Sequence, residues 1–322
     1  MYSLTTNNNA TLATTKDLES LIERFISFTA TTQRTAESYR ANIQRFCQWL
    51  KAHDITKPTR EDVIAYRQML IDTGKKATTI HAYLAAVKVF FDFLEDEGLY
   101  TNIARRVKCV HIDKGFKRDY LTAANCEKTL SSIDTTTLEG KRNFAIFSLL
   151  FSTGLRVIEL NRATIADINT LGGETVLYIQ GKGRTDKSVY VKLEPFVQQA
   201  IKDYFSARGA KDVTEPLFTS TSNRAKNCSL STHTLSVLVK KMLQGAGFDS
   251  PRLTAHSLRH SNGTIATQNG LSVEQTQMQL RHSNINTTMN YIHAVERENL
   301  HAEKTVLSAV LSQNPTKWGK WL

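Results

Sequence analysis

Between residues 17 and 98 apolar side chains return every three or four positions, and glycine or proline appears only where one such run ends and another begins. Leu18, Leu21, Ile22, Phe25 and Ile26 make the first stripe. After Thr35 come Tyr39, Ile43, Phe46 and Leu50, spaced by four, three and four. Pro58-Thr59 opens a third run, TREDVIAYRQMLID, in which Thr59 has Asp62 three positions on as an imperfect capping box, and Gly74 closes it. A fourth begins near Thr78 and passes through Ile80, Leu84, Val87, Phe91 and Leu94 to Gly98. Strand side chains alternate between two faces, so stripes of this period are buried by helices packed on helices. A small helical domain over residues 17–103 is the expectation, preceded by a Thr/Asn-rich tail at 1–16 with little to bury.

The rest of the chain has a different pattern. Residues 104–119 read as a linker, and within it ARRVKCVHIDKGFKR carries six basic side chains and one Asp. A second domain is expected over residues 120–311, mainly α with a small antiparallel sheet, followed by a tail at 312–322. Its buried helix, KRNFAIFSLLF, stops at Thr153-Gly154, ahead of a short helix bearing Arg156 and Glu159. TVLYIQ (175–180) and SVYVKL (188–193) are β-rich and joined by GKGRTDK as a long hairpin. Further helices are expected at 195–207, 232–246, 254–268, 272–280, 284–292 and 296–311.

Lys and Arg exceed Asp and Glu by 41 − 30 = 11, and the pI is near 9.4, which suits a polyanionic partner. The helical domain is itself neutral, with 11 basic and 11 acidic side chains over residues 18–103, so a phosphate-binding face there needs local asymmetry. Lys75, Lys76 and Thr78 offer it beside the amides that open the fourth helix, although a solvated helix cap is the plainer reading. Arg105, Arg106 and Lys108 begin the basic linker, which either follows a phosphate backbone or is simply solvated. Cys47, Cys109, Cys126 and Cys228 form no C-x-x-C pair, as in a reduced cytoplasmic protein without disulfides or zinc. No apolar run reaches the ~20 residues of a membrane span. The N-terminal segment lacks the pattern of a secretory signal.

Chemistry is concentrated in TAHSLRHSNGTIATQNGLSVEQTQMQLRHSNINTTMNYIHAV, which holds His256 and Arg259 a helical turn apart, then His282, then Tyr291 nine residues later. Arg156 lies one hundred residues before His256 in FSTGLRVIEL, and Lys182 sits in the Gly-Lys-Gly turn. Phosphoryl transfer at a DNA backbone can run on such a set without a metal. A tyrosine oxygen attacks phosphorus, guanidiniums hold the two non-bridging oxygens, and a lysine or histidine protonates the departing 5′ oxygen. Each residue also has an ordinary reading: Arg156 and Glu159 on a helix surface, Lys182 in an exposed turn beside Arg184 and Lys187, His282 on a backbone carbonyl, Tyr291 as a packing aromatic. His260 points about 100° away from Arg259. No carboxylate cluster, Walker loop or Cys/His set asks for a metal or nucleotide, so no cofactor is expected.

As a set, these residues resemble the tyrosine recombinases, the phage-integrase and Xer-like site-specific recombinases. GLRVIEL fits that family's first box, GKG its hairpin lysine, HSLRHS its His-x-x-Arg box, LRHSNINTT its second-histidine box and NYIH its nucleophile box. Order and spacing agree across roughly 140 residues, and the preceding segment resembles the family's core-binding domain. Two positions depart. LRH stands where LGH is usual, so Arg281 adds charge beside His282; Asn262 stands where an aromatic commonly follows His-Ser, which is expected to weaken a packing contact. The resemblance implies a helical core-binding domain joined to a recombinase catalytic domain, with catalytic roles for Arg156, Lys182, His256, Arg259, His282 and Tyr291. It further implies cleavage and rejoining of double-stranded DNA at an inverted-repeat core site through a 3′-phosphotyrosyl intermediate. Four protomers would act together, to integrate or excise a mobile element or to resolve DNA dimers. A type IB topoisomerase-like relaxing enzyme and a non-catalytic DNA-binding accessory factor are the alternatives. The two-domain size and the C-terminal extension oppose the first, the complete set of six the second.

Overall fold

The computed structural model describes residues 15–29, 32–112, 119–181, 183–210, 212–222, 227–289, 291 and 302–313. The chain divides into two compact units, Met1–Gly115 and Phe116–Leu322.

The first unit contains α1 (Thr15–Phe28), α2 (Gln33–Ala52), α3 (Arg60–Asp72) and α4 (Ala77–Asp96). The cap of α2 is Thr32 rather than Thr35, because Thr35 lies three positions inside the helix and donates its N–H to the Thr32 hydroxyl at 3.4 Å. At α3 the Thr59 N–H is held by the Asp62 carboxylate at 2.7 Å, as the capping pattern required. The stripes of all four helices meet in one core, built around Ile22, Phe25, Ile43, Phe46, Tyr66 and Phe91. By length and composition α4 is apolar enough to cross a membrane, but Ile80, Leu84, Ala86, Val87, Phe90, Phe91, Phe93 and Leu94 are buried in this core. Each of the large side chains contributes roughly 1.5–3 kcal/mol when fully buried. Residues at the start of the expected linker also belong here. Ala104 and Val107 are buried, Arg67 donates to the Lys108 carbonyl at 2.7 Å, and His81 donates to that of Val110 at 2.7 Å.

The second unit runs α5 (Ala123–Ser131), α6 (Leu138–Thr153), α7 (Val157–Asn161), β1 (Ile168–Leu171), β2 (Glu174–Ile179), β3 (Val189–Lys192), α8 (Pro195–Arg208), α9 (Thr232–Gly245), α10 (Ala255–Gln268) and α11 (Val273–Leu280). A helical stretch α12 at 285–289 and α13 (Ala302–Leu311) follow. The sheet is antiparallel in the order β1-β2-β3, with Ile179 opposite Val189. The expected hairpin is therefore present and gains an outer strand, β1, whose residues are mostly exposed and so carry no alternating pattern. Helix α6 is the centre of the unit: Ala145, Ile146, Phe147, Leu149 and Leu150 are buried, and α5, α8, α9 and α10 pack around it. On α13, Val306, Leu307 and Val310 are 64, 57 and 61% exposed.

Candidate active site

The site grows from the C-terminal end of α6. The last carbonyls of a helix have no partner within it, and here side chains from α10 and α11 supply one to each. Asn262 donates to the carbonyls of Phe151 and Ser152 at 2.8 and 2.9 Å, and Gln279 also reaches Ser152 at 3.3 Å. Arg281 takes the Thr153 carbonyl at 3.3 Å. The Gly154 carbonyl accepts from Arg259 at 2.5 Å and from Arg281 at 3.3 Å. Asn262 thus caps a helix. Gly154 closes α6 in the left-handed region with φ 61°, and a Cβ there would stand 2.7 Å from a Leu280 methyl. Only glycine meets both conditions.

This turn launches α7, with Arg156 at its cap position. Glu159, 1% exposed, accepts from the Arg156 backbone N–H at 2.8 Å and from its guanidinium at 2.9 Å. Arg281 approaches the same carboxylate at 3.5 Å. Its backbone has φ 55°, a left-handed conformation that costs a non-glycine residue about 1–2 kcal/mol. Arg259, buried on α10, donates to the carbonyls of Gly154 and Leu280 and so ties α6 to α11. Burial first, then the charges of Arg156 and Arg281, pull the Arg259 guanidinium down to about 9; it remains the cation at neutral pH. Two of its five N–H groups are used by these carbonyls.

His282 follows the turn at Arg281 and is buried, its Nδ1 lying 2.9 Å from the Thr288 hydroxyl on α12. Burial, together with the positive charges of Arg259, Arg156, His260 and Arg281, pushes the imidazole down to about 4. It is neutral at physiological pH. Where Nδ1 donates to Thr288, Nε2 is an acceptor; where Nδ1 accepts, Nε2 carries the hydrogen. The Tyr291 ring, 2% exposed, stacks on His282 with centroids 6.0 Å apart and an interplanar angle of 10°. On its other contacts lie His260 at 5.4 Å and Gly263, where a Cβ would sit 3.1 Å from the ring. His260 in turn meets the exposed His256 edge-on at 4.7 Å.

Arg156 at the start of α7, Arg259 on α10, His282 after α11 and Tyr291 after α12 are therefore brought together, and His256 joins them through His260. Lys182 lies outside the described residues. Its neighbours in the hairpin are engaged: Lys187 is paired with Asp167 at 2.5 Å and with the Arg162 carbonyl at 3.2 Å, and Arg184 donates to Ser188 at 3.3 Å. Lys75, Lys76 and Thr78 are exposed at the start of α4, in the other unit. Arg106 and Lys108 are exposed, whereas Arg105 is paired with Glu95 and with Asp92. Thr288, Gln279 and Gly263 are contributors that sequence reading missed. A threonine six residues after His282, within the same motif, was the available signal for Thr288.

The phage integrase N-terminal SAM-like domain matches residues 18–98, and the phage integrase family matches residues 119–298. The tyrosine recombinase XerD of Oceanobacillus iheyensis is 28% identical over 297 residues, covering 87% of this chain and 95% of the relative. XerD of Yersinia pestis is 30% identical over 295 residues, covering 86 and 94%. Among solved structures, the XerH site-specific recombinase bound to palindromic difH substrate in a post-cleavage complex has a TM-score of 0.72 at 21% identity, covering 92% of this chain and 85% of that one. A lambda integrase tetramer bound to a Holliday junction has a TM-score of 0.65 at 18% identity, covering 89 and 78%. Both structures share the fold. The chain belongs to the phage integrase family and is a tyrosine recombinase, an enzyme of site-specific recombination that cleaves and rejoins DNA.

Proposed function

We propose that Tyr291 is the nucleophile of this recombinase, with Arg156, Lys182, His256, Arg259 and His282 completing its catalytic site. The phenolic oxygen bonds to the scissile phosphorus as the bond from phosphorus to the 5′ oxygen breaks. His282 takes the phenolic proton, and Lys182 donates one to the departing oxygen. Arg156, Arg259 and His256 hold the non-bridging oxygens. The 3′ phosphate stays on the protein until a 5′ hydroxyl attacks it, breaking the bond to tyrosine and returning the proton. One phosphodiester is exchanged for another, so the cycle balances without a further reactant. The observation that carries this reading is the stacking of Tyr291 on a neutral His282 beside the guanidiniums of Arg259 and Arg156.

The substrate in this reading is duplex DNA bearing an inverted-repeat core site, bound by four protomers in the cytoplasm, for mobile-element integration or dimer resolution. The net charge of +11 favours that polyanion, with Lys75, Lys76, Thr78, Arg105, Arg106 and Lys108 as backbone contacts. Self-association is supported by the exposed aliphatic face of α13. A cavity of about 500 Å³ lined by Leu130, Phe151, Ile265, Ala266 and Leu271 is a receptacle of matching character. A nicked suicide substrate, from which the released 5′ fragment diffuses away, tests the reading. Covalent protein–DNA adduct is the expected product, and its absence would reject covalent catalysis.

A further inference from the structure

We propose that Arg281 is a positioning residue for recombination, one that sets how Arg156 and Arg259 present their charge to the scissile phosphate. The inference rests on the site reading above. Position 281 has φ 55°, where glycine would be unstrained, and the side chain is only 14% exposed. A largely covered cation on a left-handed backbone is unfavourable on both counts, so what it contacts must compensate. Its guanidinium donates to the Gln279 carbonyl at 2.7 Å, and to those of Thr153 and Gly154 at 3.3 Å each. It also stands 3.5 Å from Glu159 Oε2.

Two of those contacts are shared with the arginines that hold the phosphate. The Gly154 carbonyl accepts from Arg259 as well as from Arg281, and the Glu159 carboxylate accepts from Arg156 while pairing with the Arg281 charge at 3.5 Å. Arg281 is thus the one side chain among the described residues that joins both partners. Without it, Glu159 is left to neutralise Arg156 alone, and the group of three arginines and one carboxylate falls from a net +2 to +1. With it, the carboxylate is divided between two cations, and more of the Arg156 charge faces the phosphate. The pentacoordinate transition state concentrates negative charge on the non-bridging oxygens, so it feels this difference more than the bound ground state does.

Arg281→Gly is the informative variant, because glycine suits the backbone and the fold should survive. Expected results are an undiminished thermal midpoint, half-site affinity within about threefold of the parent, and single-turnover cleavage of a suicide substrate slowed about tenfold or more. Arg281→Asn, which also tolerates the left-handed conformation, should behave alike. Glu159→Gln should cost much less in the Arg281→Gly background than in the parent, because the two act through one carboxylate. The proposal is overturned if Arg281→Gly cleaves within twofold of the parent, if the two losses simply multiply, or if the slow rate comes with a lowered thermal midpoint. A parent protein that forms no adduct would instead reject the Tyr291 reading, and this inference with it.

Discussion

Arg259 and Gly154 are 105 positions apart, yet the arginine donates to the glycine carbonyl at 2.5 Å. That bond fixes the first arginine's turn against the helix that carries the second, so that both guanidiniums are held before DNA arrives. Preorganisation of this kind favours the transition state, because no reorientation is required when charge develops.

Arg156→Lys and Arg259→Lys are each expected to lower the cleavage rate about 10²–10³-fold, as loss of a donor to a transition-state oxyanion does. Lysine keeps the charge but cannot hold Gly154, Leu280 and a phosphate oxygen at once in place of Arg259. Single-turnover cleavage measures this directly. A near-normal rate for either variant would demote that arginine to an ordinary backbone contact.

The His282 imidazole is expected to titrate near 4 in the DNA-free protein, well below its usual 6.5. Above pH 6.5 it is neutral in both folded and unfolded chains, and contributes nothing to the pH dependence of stability. Between 6.5 and 4 the unfolded chain binds a proton that the folded chain refuses, so stability falls as pH falls through that window. Histidine proton resonances followed by NMR will show the midpoint, and titration near 6.5 would contradict the buried, cation-flanked environment.

Lys182→Ala is expected to slow cleavage of an ordinary phosphodiester but to act almost normally when sulfur replaces the bridging 5′ oxygen. A thiolate leaves without a proton, so a general acid becomes dispensable. Equal defects on both substrates would assign Lys182 to DNA binding. Lys187 is a poor substitute, since Asp167 and the Arg162 carbonyl already hold its ammonium group.

Truncation after Val295 removes α13 with its exposed Val306, Leu307 and Val310. Single half-site binding should persist, while cooperative filling of paired half-sites and recombination are lost. Burial of such side chains contributes roughly 1.5–3 kcal/mol each, sufficient for protomers already gathered on DNA. Gel-shift titration on one and two half-sites will decide it, and undiminished cooperativity would exclude α13 as the connector.

The helices of the first unit were legible because their burial is periodic and local, as the Ile80-to-Leu94 stripe of α4 shows. β1 was not, since a short, mostly exposed strand has no alternation to read. The motif residues Arg156, Arg259, His282 and Tyr291 were legible as types and spacings, but their supports were not. Asn262 reaches α6 across 111 positions, and the reach of Arg281 depends on a left-handed torsion that no pattern of residue types encodes. His260 was set aside by its angle from Arg259; the Tyr291 ring reaches it from a separate segment of the chain.

In the proposed reaction Tyr291 carries the DNA. Suicide-substrate adduct should be digested and the DNA-bearing peptide sequenced by mass spectrometry, alongside Tyr291→Phe, which deletes one hydroxyl and keeps the packed ring. The expected result is a 3′ phosphate on Tyr291 in the parent, and in the variant no adduct despite half-site affinity close to the parent's. An adduct formed by Tyr291→Phe, or a phosphate mapped to any other residue, would contradict it.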